Sequence, residues 1–276
     1  MEDEMQPLQT CQSPEGPPSG EVFVGVDGCR AGWLAVSLGP APAPGRAEPW
    51  ECSLWSSMAE LWKGLASRAT LVLVDMPMGL PWPGNPAREC DTLARKHLGP
   101  RRSSVFSPPC REALDARTHE AACAMNRRVL GRGLSIQAYN ILPKIRELDD
   151  LVRSKPGARE RLREAHPELA FLAMGGGPRP ANKKTAEGAA DRAGLLRGRF
   201  AAAPEFFAAA ASAFRASQAG RDDAADALAL ALSARRGGLV SLGGGAQVDL
   251  LGIPMAIWYA PWNDERSAAD RQKGIK

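Results

Sequence analysis

None of the six cysteines (Cys11, Cys29, Cys52, Cys90, Cys110, Cys123) pairs with another at Cys-x-x-Cys spacing, and with His97, His119 and His166 they form no zinc-ligand pattern. That excludes a zinc fold and a disulfide framework as the organising device. No stretch approaches the roughly 20 uninterrupted apolar residues that a bilayer span needs. Lys and Arg are missing from the first 20 residues, which carry four acids and four prolines. A signal peptide would be basic there, so the expectation is a cytoplasmic protein with no membrane association, its residues 1–20 a flexible tail.

What is present suffices for one large globular domain. The 276 residues are 44% apolar and 24% charged, close to a globular average. The net charge of +4 is a mild signal by itself, but its placement is uneven. Residues 85–132 hold ten Lys or Arg against five Asp or Glu, so this segment exceeds the net charge of the whole chain.

Hydrophobic patterning gives the order of elements. Val22–Val26, Trp33–Leu38 and Trp50–Trp55 read as three strands of a meander, followed by a helix from Ser56 or Ser57 to about Leu65. Leu71–Val74 is apolar at every position, as in a strand covered on both faces. Residues 82–162 read as a basic, largely helical insertion, with one helix from Ser135 to about Asp150 despite Pro143. Glu164–Met174 is expected as a further strand centred on Leu169–Leu172, and Pro254–Tyr259 as a last short one. Alanine-rich helices fill 185–236; the last starts at Arg221 and is apolar on every face over Ala227–Leu232, as a helix buried against a sheet would be. The domain is bounded at 21–262, leaving a polar tail at 263–276.

The residues suited to chemistry are acids. Two apolar strands end in aspartate, Asp27 before Gly28 and Asp75 before Met76-Pro77. Either alone is an ordinary turn former; on neighbouring strands, their carboxylates converge. Asp223 and Asp226 share one face of the last helix, and Asp226 stands where an uncompensated buried carboxylate would cost several kcal/mol. Asp222 or Asp223 also fits the N-cap of that helix, the cap being given to Asp222. Together Asp27, Asp75, Asp223 and Asp226 form an all-oxygen set suited to Mg²⁺ or Mn²⁺. Glu168 is a candidate further ligand or a structural carboxylate, while His166, before proline, reads as structural. Arg30, Arg101, Arg102, Lys183 and Lys184 are the candidate phosphate contacts.

Several ordered motifs carry a resemblance. Gly25–Trp33, Asp75–Pro81, Arg101–Phe106, Ser135–Gln137, His166–Glu168, Lys183-Lys184 and Asp223-Ala-Ala-Asp226-Ala-Leu resemble domain-of-unknown-function family 429, predicted nucleases of RNase H fold. The helix motif also resembles the catalytic helix of RuvC-type Holliday-junction resolvases. The resemblance implies an α/β, RNase H-like fold and a Mg²⁺- or Mn²⁺-dependent nuclease acting on DNA or RNA by a two-metal mechanism. Asp27, Asp75, Asp223 and Asp226 would be its catalytic acids. The chain departs from the resolvases in having Asp75 where they carry glutamate, and from the family's first motif in having Ala31 for glycine. The alternatives are an actin-like ATP-dependent phosphotransferase, for which Cys29–Trp33 offers no hydroxyl, and a non-catalytic nucleic-acid-binding module.

Overall fold

The computed structural model describes residues 6–43, 45–175, 185–244 and 246–262. Its centre is a six-stranded mixed sheet in the order β1 (Gln9–Gln12), β4 (Trp50–Trp55), β3 (Gly32–Leu38), β2 (Val22–Cys29), β5 (Ala69–Val74), β6 (Leu162–Glu164). The strands β2, β3 and β4 form an antiparallel meander. Alongside β2 run β5 and then β6, both parallel to it. The meander and the doubly covered β5 were legible because side chains alternate across the sheet with period two. Leu34, Val36 and Leu38 of β3 go to one core, while Trp33 and Ala35 go to the other.

Helices cover both faces. On one side α1 (Met58–Leu65) packs with Trp33, Trp55 and Val72; Ser57 caps it by accepting the Glu60 N–H. On the other lies α10 (Arg221–Arg236), buried from Ala227 to Ala234 against β2 and β3. Gly25 permits that contact: a Cβ there would stand 2.0 Å from the Ala227 carbonyl oxygen and 2.2 Å from the Ala231 nitrogen. At the β2–β3 turn, Gly32 has φ +141°, and a Cβ would meet the Trp55 carbonyl oxygen at 2.0 Å. Only glycine fits either place.

Between β5 and β6 the chain forms α2 (Glu89–Leu98), α3 (His119–Leu130), α4 (Ile136–Asn140), α5 (Leu142–Ser154) and α6 (Pro156–Arg161), with 3-10 turns at Gly99–Ser104 and Arg111–Ala113. The helical insertion is thus found, but the single helix expected over 135–150 is two. Pro143 has no N–H to donate backward, so it sits in the first turn of a new helix, where that donor is not needed.

The expected strand over Glu164–Met174 is corrected. The strand there is the three-residue β6, and Pro167–Gly175 is a helix, α7. Leu169, Ala170, Phe171 and Met174 are all buried, and a short run apolar all round has no period to separate strand from helix. Pro167 at its first position was the overlooked helix signal. A second difference lies in the N-terminal segment expected to be flexible. Gln9–Gln12 form β1, paired with β4, because edge pairing satisfies backbone groups without needing a large apolar face. After α7 come α8 (Ala186–Arg199) and α9 (Ala203–Ala213), then α10 and a two-stranded ribbon of β7 (Val240–Leu242) and β8 (Ile257–Tyr259), the last strand expected. Among the described residues no helix is long and apolar enough to cross a membrane. The tail 263–276 lies outside the described residues.

Candidate active site

A cleft of about 310 Å³ opens beyond the C-terminal ends of β2, β5 and β6. In sheets with parallel strands this is the edge where ligands gather, since the chain leaves each strand in a loop. Asp27, Asp75 and Asp226 all line it. Val26 and Val74 are register partners, and the Asp75 N–H donates to the Val26 carbonyl at 2.9 Å, so the two aspartates follow them side by side; β5 ends at Val74, but β2, expected to end at Val26, runs on to Cys29 because Asp27 pairs with Leu34 of β3. Asp27 lies two residues beyond Gly25 and therefore on the same face of the sheet. That face is covered by α10, whose Ala227 touches Gly25, which brings the preceding Asp226 to the cleft. Asp27 is 7% exposed and Asp226 4%.

Asp223 has a different position. Its Oδ2 accepts the Gly220 N–H at 2.7 Å, the N3 half of a capping box, and it does not line the cleft. The helix begins two residues earlier than a cap at Asp222 requires: Gly220 is the N-cap and Asp222 is exposed. The cap expected of Asp222 therefore belongs to Asp223, because three residues separate the N-cap from the side chain that reaches back to it.

Glu168 lines the cleft, but Arg192 grips both its oxygens at 2.7 and 2.8 Å, and Arg101 stands 3.4 Å from Oε1. Those contacts commit its carboxylate to two arginines. Arg101 thereby braces the cleft wall, whereas Arg102 and Arg30 are exposed and line no part of the cleft. Lys183 and Lys184 lie outside the described residues. His166 accepts the Glu168 N–H at Nδ1 and approaches the Ser104 carbonyl through Nε2 at 3.3 Å, so it ties α7 to the insertion.

Three cleft residues escaped sequence reasoning. Lys144 of α5 lines the cleft, donates to the Gly32 carbonyl and stands 4.6 Å from the Trp33 ring centroid. Burial lowers its pKa, opposed by the negative groups around it, Asp27 and Asp223 among them. Glu164 ends β6 and accepts from Met78 N–H at 2.7 Å and from the fully buried Arg88. Burial pushes Glu164 up to about 7, even with Arg88 beside it. Asp91, 3.6 Å from Arg88, completes that group. Only a three-dimensional fold brings residues 88, 91, 144 and 164 together; no short motif contains them.

Among the described residues, no group of three or more His, Cys, Asp or Glu side chains is drawn together tightly enough to hold a metal ion. Asp27, Asp75 and Asp226 share a cleft without forming a closed cage. The family model described as "Protein of unknown function (DUF429)" matches residues 25–247. The chain belongs to that family. No curated protein and no solved structure matches this DUF429 chain.

Proposed function

We propose that this DUF429 protein is a metal-dependent nuclease built on an RNase H-like core. The observation that carries the reading is the convergence of Asp27, Asp75 and Asp226 on one cleft, from β2, from the end of the adjacent parallel β5 and from a helix pressed onto Gly25. The fold reading is supported by an antiparallel meander followed by two strands parallel to its first member, with the long helix α10 across it.

In chemistry, though not in a closed spacing, the donor set suits a hard divalent cation: it is wholly carboxylate oxygen, with Asp27 and Asp226 buried and Asp75 half-buried. Asp27, Asp75 and Asp226 would hold Mg²⁺ or Mn²⁺. Such an ion, when bound, supplies positive charge against a phosphate and makes water at the site more acidic. Lys144 places a further cation beside Asp27 and limits carboxylate repulsion. Glu164 can hold or release a proton near neutrality on the same cleft wall. Arg192 and Arg101 keep Glu168 in place, and Asp223 fixes the start of the helix that carries Asp226.

An actin-like ATP-dependent reading has less support, because the β2–β3 turn closes tightly, Cys29 pairing directly with Gly32 and no hydroxyl lying between them. The test is incubation with single-stranded, duplex and branched DNA and RNA in Mg²⁺ or Mn²⁺. Wild type should cleave at least one of these and Asp27→Asn none; cleavage by the variant as fast as by wild type would refute the proposal.

A further inference from the structure

Phe106 separates two cavities of opposite character. On one side is the acidic cleft; on the other is a groove of about 360 Å³, and both share Val105 and Phe106 in their walls. The groove is lined by Arg95, Arg132, Asn126, Ser107 and Ser135 among others, and no described residue lining it is acidic. Phe106 is 36% exposed, while Val105 before it is buried. An exposed aromatic ring between an acidic cleft and a basic groove has no role in the core.

The ring stands on a braced support. Arg95 donates to the Val105 carbonyl at 3.2 and 3.0 Å and to Ser107 Oγ at 2.8 Å, holding the residues on either side of Phe106. Across the groove, Asn126 donates to the Arg132 carbonyl at 3.0 Å and accepts the Cys110 N–H at 2.8 Å. Arg132 is half-buried and, among the described residues, makes no ion pair. Both walls are therefore fixed before any ligand arrives, which lowers the ordering cost of binding.

We propose that Phe106 is a stacking platform for an unpaired base and that the groove behind it, with Arg132, holds the phosphate of the adjoining nucleotide, so that the substrate of the cleft is a single-stranded stretch of nucleic acid. The assignment rests on the nuclease reading for which strand position meets the acids, but the binding surface is tested apart from it. A base in a duplex already has both faces stacked and cannot offer one to Phe106, whereas any unpaired base can. A polyanion also matches the groove's charge, and each phosphate met by an arginine displaces counterions.

The experiment is fluorescence anisotropy of labelled short oligothymidylate and oligouridylate, and of a matching duplex, in Ca²⁺ to limit turnover. Phe106→Ala should weaken single-strand binding by at least about fivefold, the low end of the stacking range, and leave duplex binding unchanged. Phe106→Trp should restore it. Arg132→Ala should lower the slope of log affinity against log salt by about 0.7 for single strands. The platform is overturned if Phe106→Ala, with a wild-type melting curve, binds single strands as well as wild type. It is equally overturned if wild type binds no oligonucleotide, or if an acidic peptide or anionic vesicle competes for the groove and nucleic acid does not. Phe106-dependent binding by a protein that cleaves nothing would keep this surface and reject the hydrolase; intact cleavage with an indifferent Phe106 would do the opposite.

Discussion

Asp27 and Asp75 stand one residue beyond the paired Val26 and Val74, on parallel strands joined at that point by the Asp75 N–H to the Val26 carbonyl at 2.9 Å. Their spacing is set by the sheet itself and not by flexible loops, so the relative position of the pair is fixed before any ligand arrives. Asn at either position keeps the size and most hydrogen bonds. Each variant should fold with wild-type circular dichroism and lose both Mn²⁺ binding by calorimetry and cleavage. Undiminished Mn²⁺ affinity in both variants would remove these residues from the site.

The two aspartates of α10 should separate cleanly. Asp223→Ala removes the acceptor of the Gly220 N–H and should cost about 1 kcal/mol in chemical denaturation, the usual scale of a lost cap. Asp222→Ala, at an exposed position, should cost less. Asp226→Asn, which removes one of three carboxylates lining the cleft, should keep or raise metal-free stability, yet lose the rise in melting temperature that Mn²⁺ gives wild type. A full Mn²⁺ shift in Asp226→Asn would contradict its place among the ligands.

Glu168 tests the difference between lining a cleft and serving it. Its carboxylate is committed to Arg192, whose side chain is almost wholly buried, so Glu168→Ala takes two charge-assisted hydrogen bonds from that guanidinium and should cost about 2 kcal/mol. Mn²⁺ affinity of the folded variant should be unchanged. A stable Glu168→Ala protein with weakened Mn²⁺ binding would make Glu168 a ligand after all.

Glu164 should leave a mark on the pH dependence of stability. Burial raises its pKa from 4.5 to about 7 in the folded protein, with Arg88 and Asp91 as the charged groups facing it. Between those two values the folded state binds the proton and the unfolded state does not, so stability falls as pH rises. The slope is at most about 1.4 kcal/mol per pH unit. Glu164→Gln cannot titrate. The stability of wild type relative to Glu164→Gln should therefore decline from pH 4.5 to 7, as urea denaturation at several pH values will show; parallel profiles would contradict the assignment.

Asp75 was legible as a strand-end acid because the apolar β5 stops where the charge appears, whereas Asp27 lies inside β2, whose pairing with β3 carries the strand on to Cys29. The helix against the sheet was legible for a related reason: Ala227–Leu232 has no polar face to offer water. Residues 164–174 were misread because a fully buried run carries no period, and only Pro167 marked its start. The β1 strand escaped because its partner, β4, is 38 residues further on and its side chains alternate between half-buried and exposed. Lys144, Glu164 and Asp91 were out of reach for sequence reasoning, since an isolated Lys or Glu is ordinarily a solvated surface residue. Burial decides their roles, and burial is a property of the assembled fold.

On the proposed function, Asp27, Asp75 and Asp226 form one divalent-cation site. A crystal structure with saturating Mn²⁺, read by anomalous diffraction, tests it most directly. The account predicts an anomalous peak in the cleft with oxygens of Asp27 and Asp75 at about 2.1 Å and Asp226 in the same coordination sphere or one water away. A cleft with no peak at saturating Mn²⁺, or ordered Mn²⁺ only at carboxylates elsewhere on the chain, would contradict it.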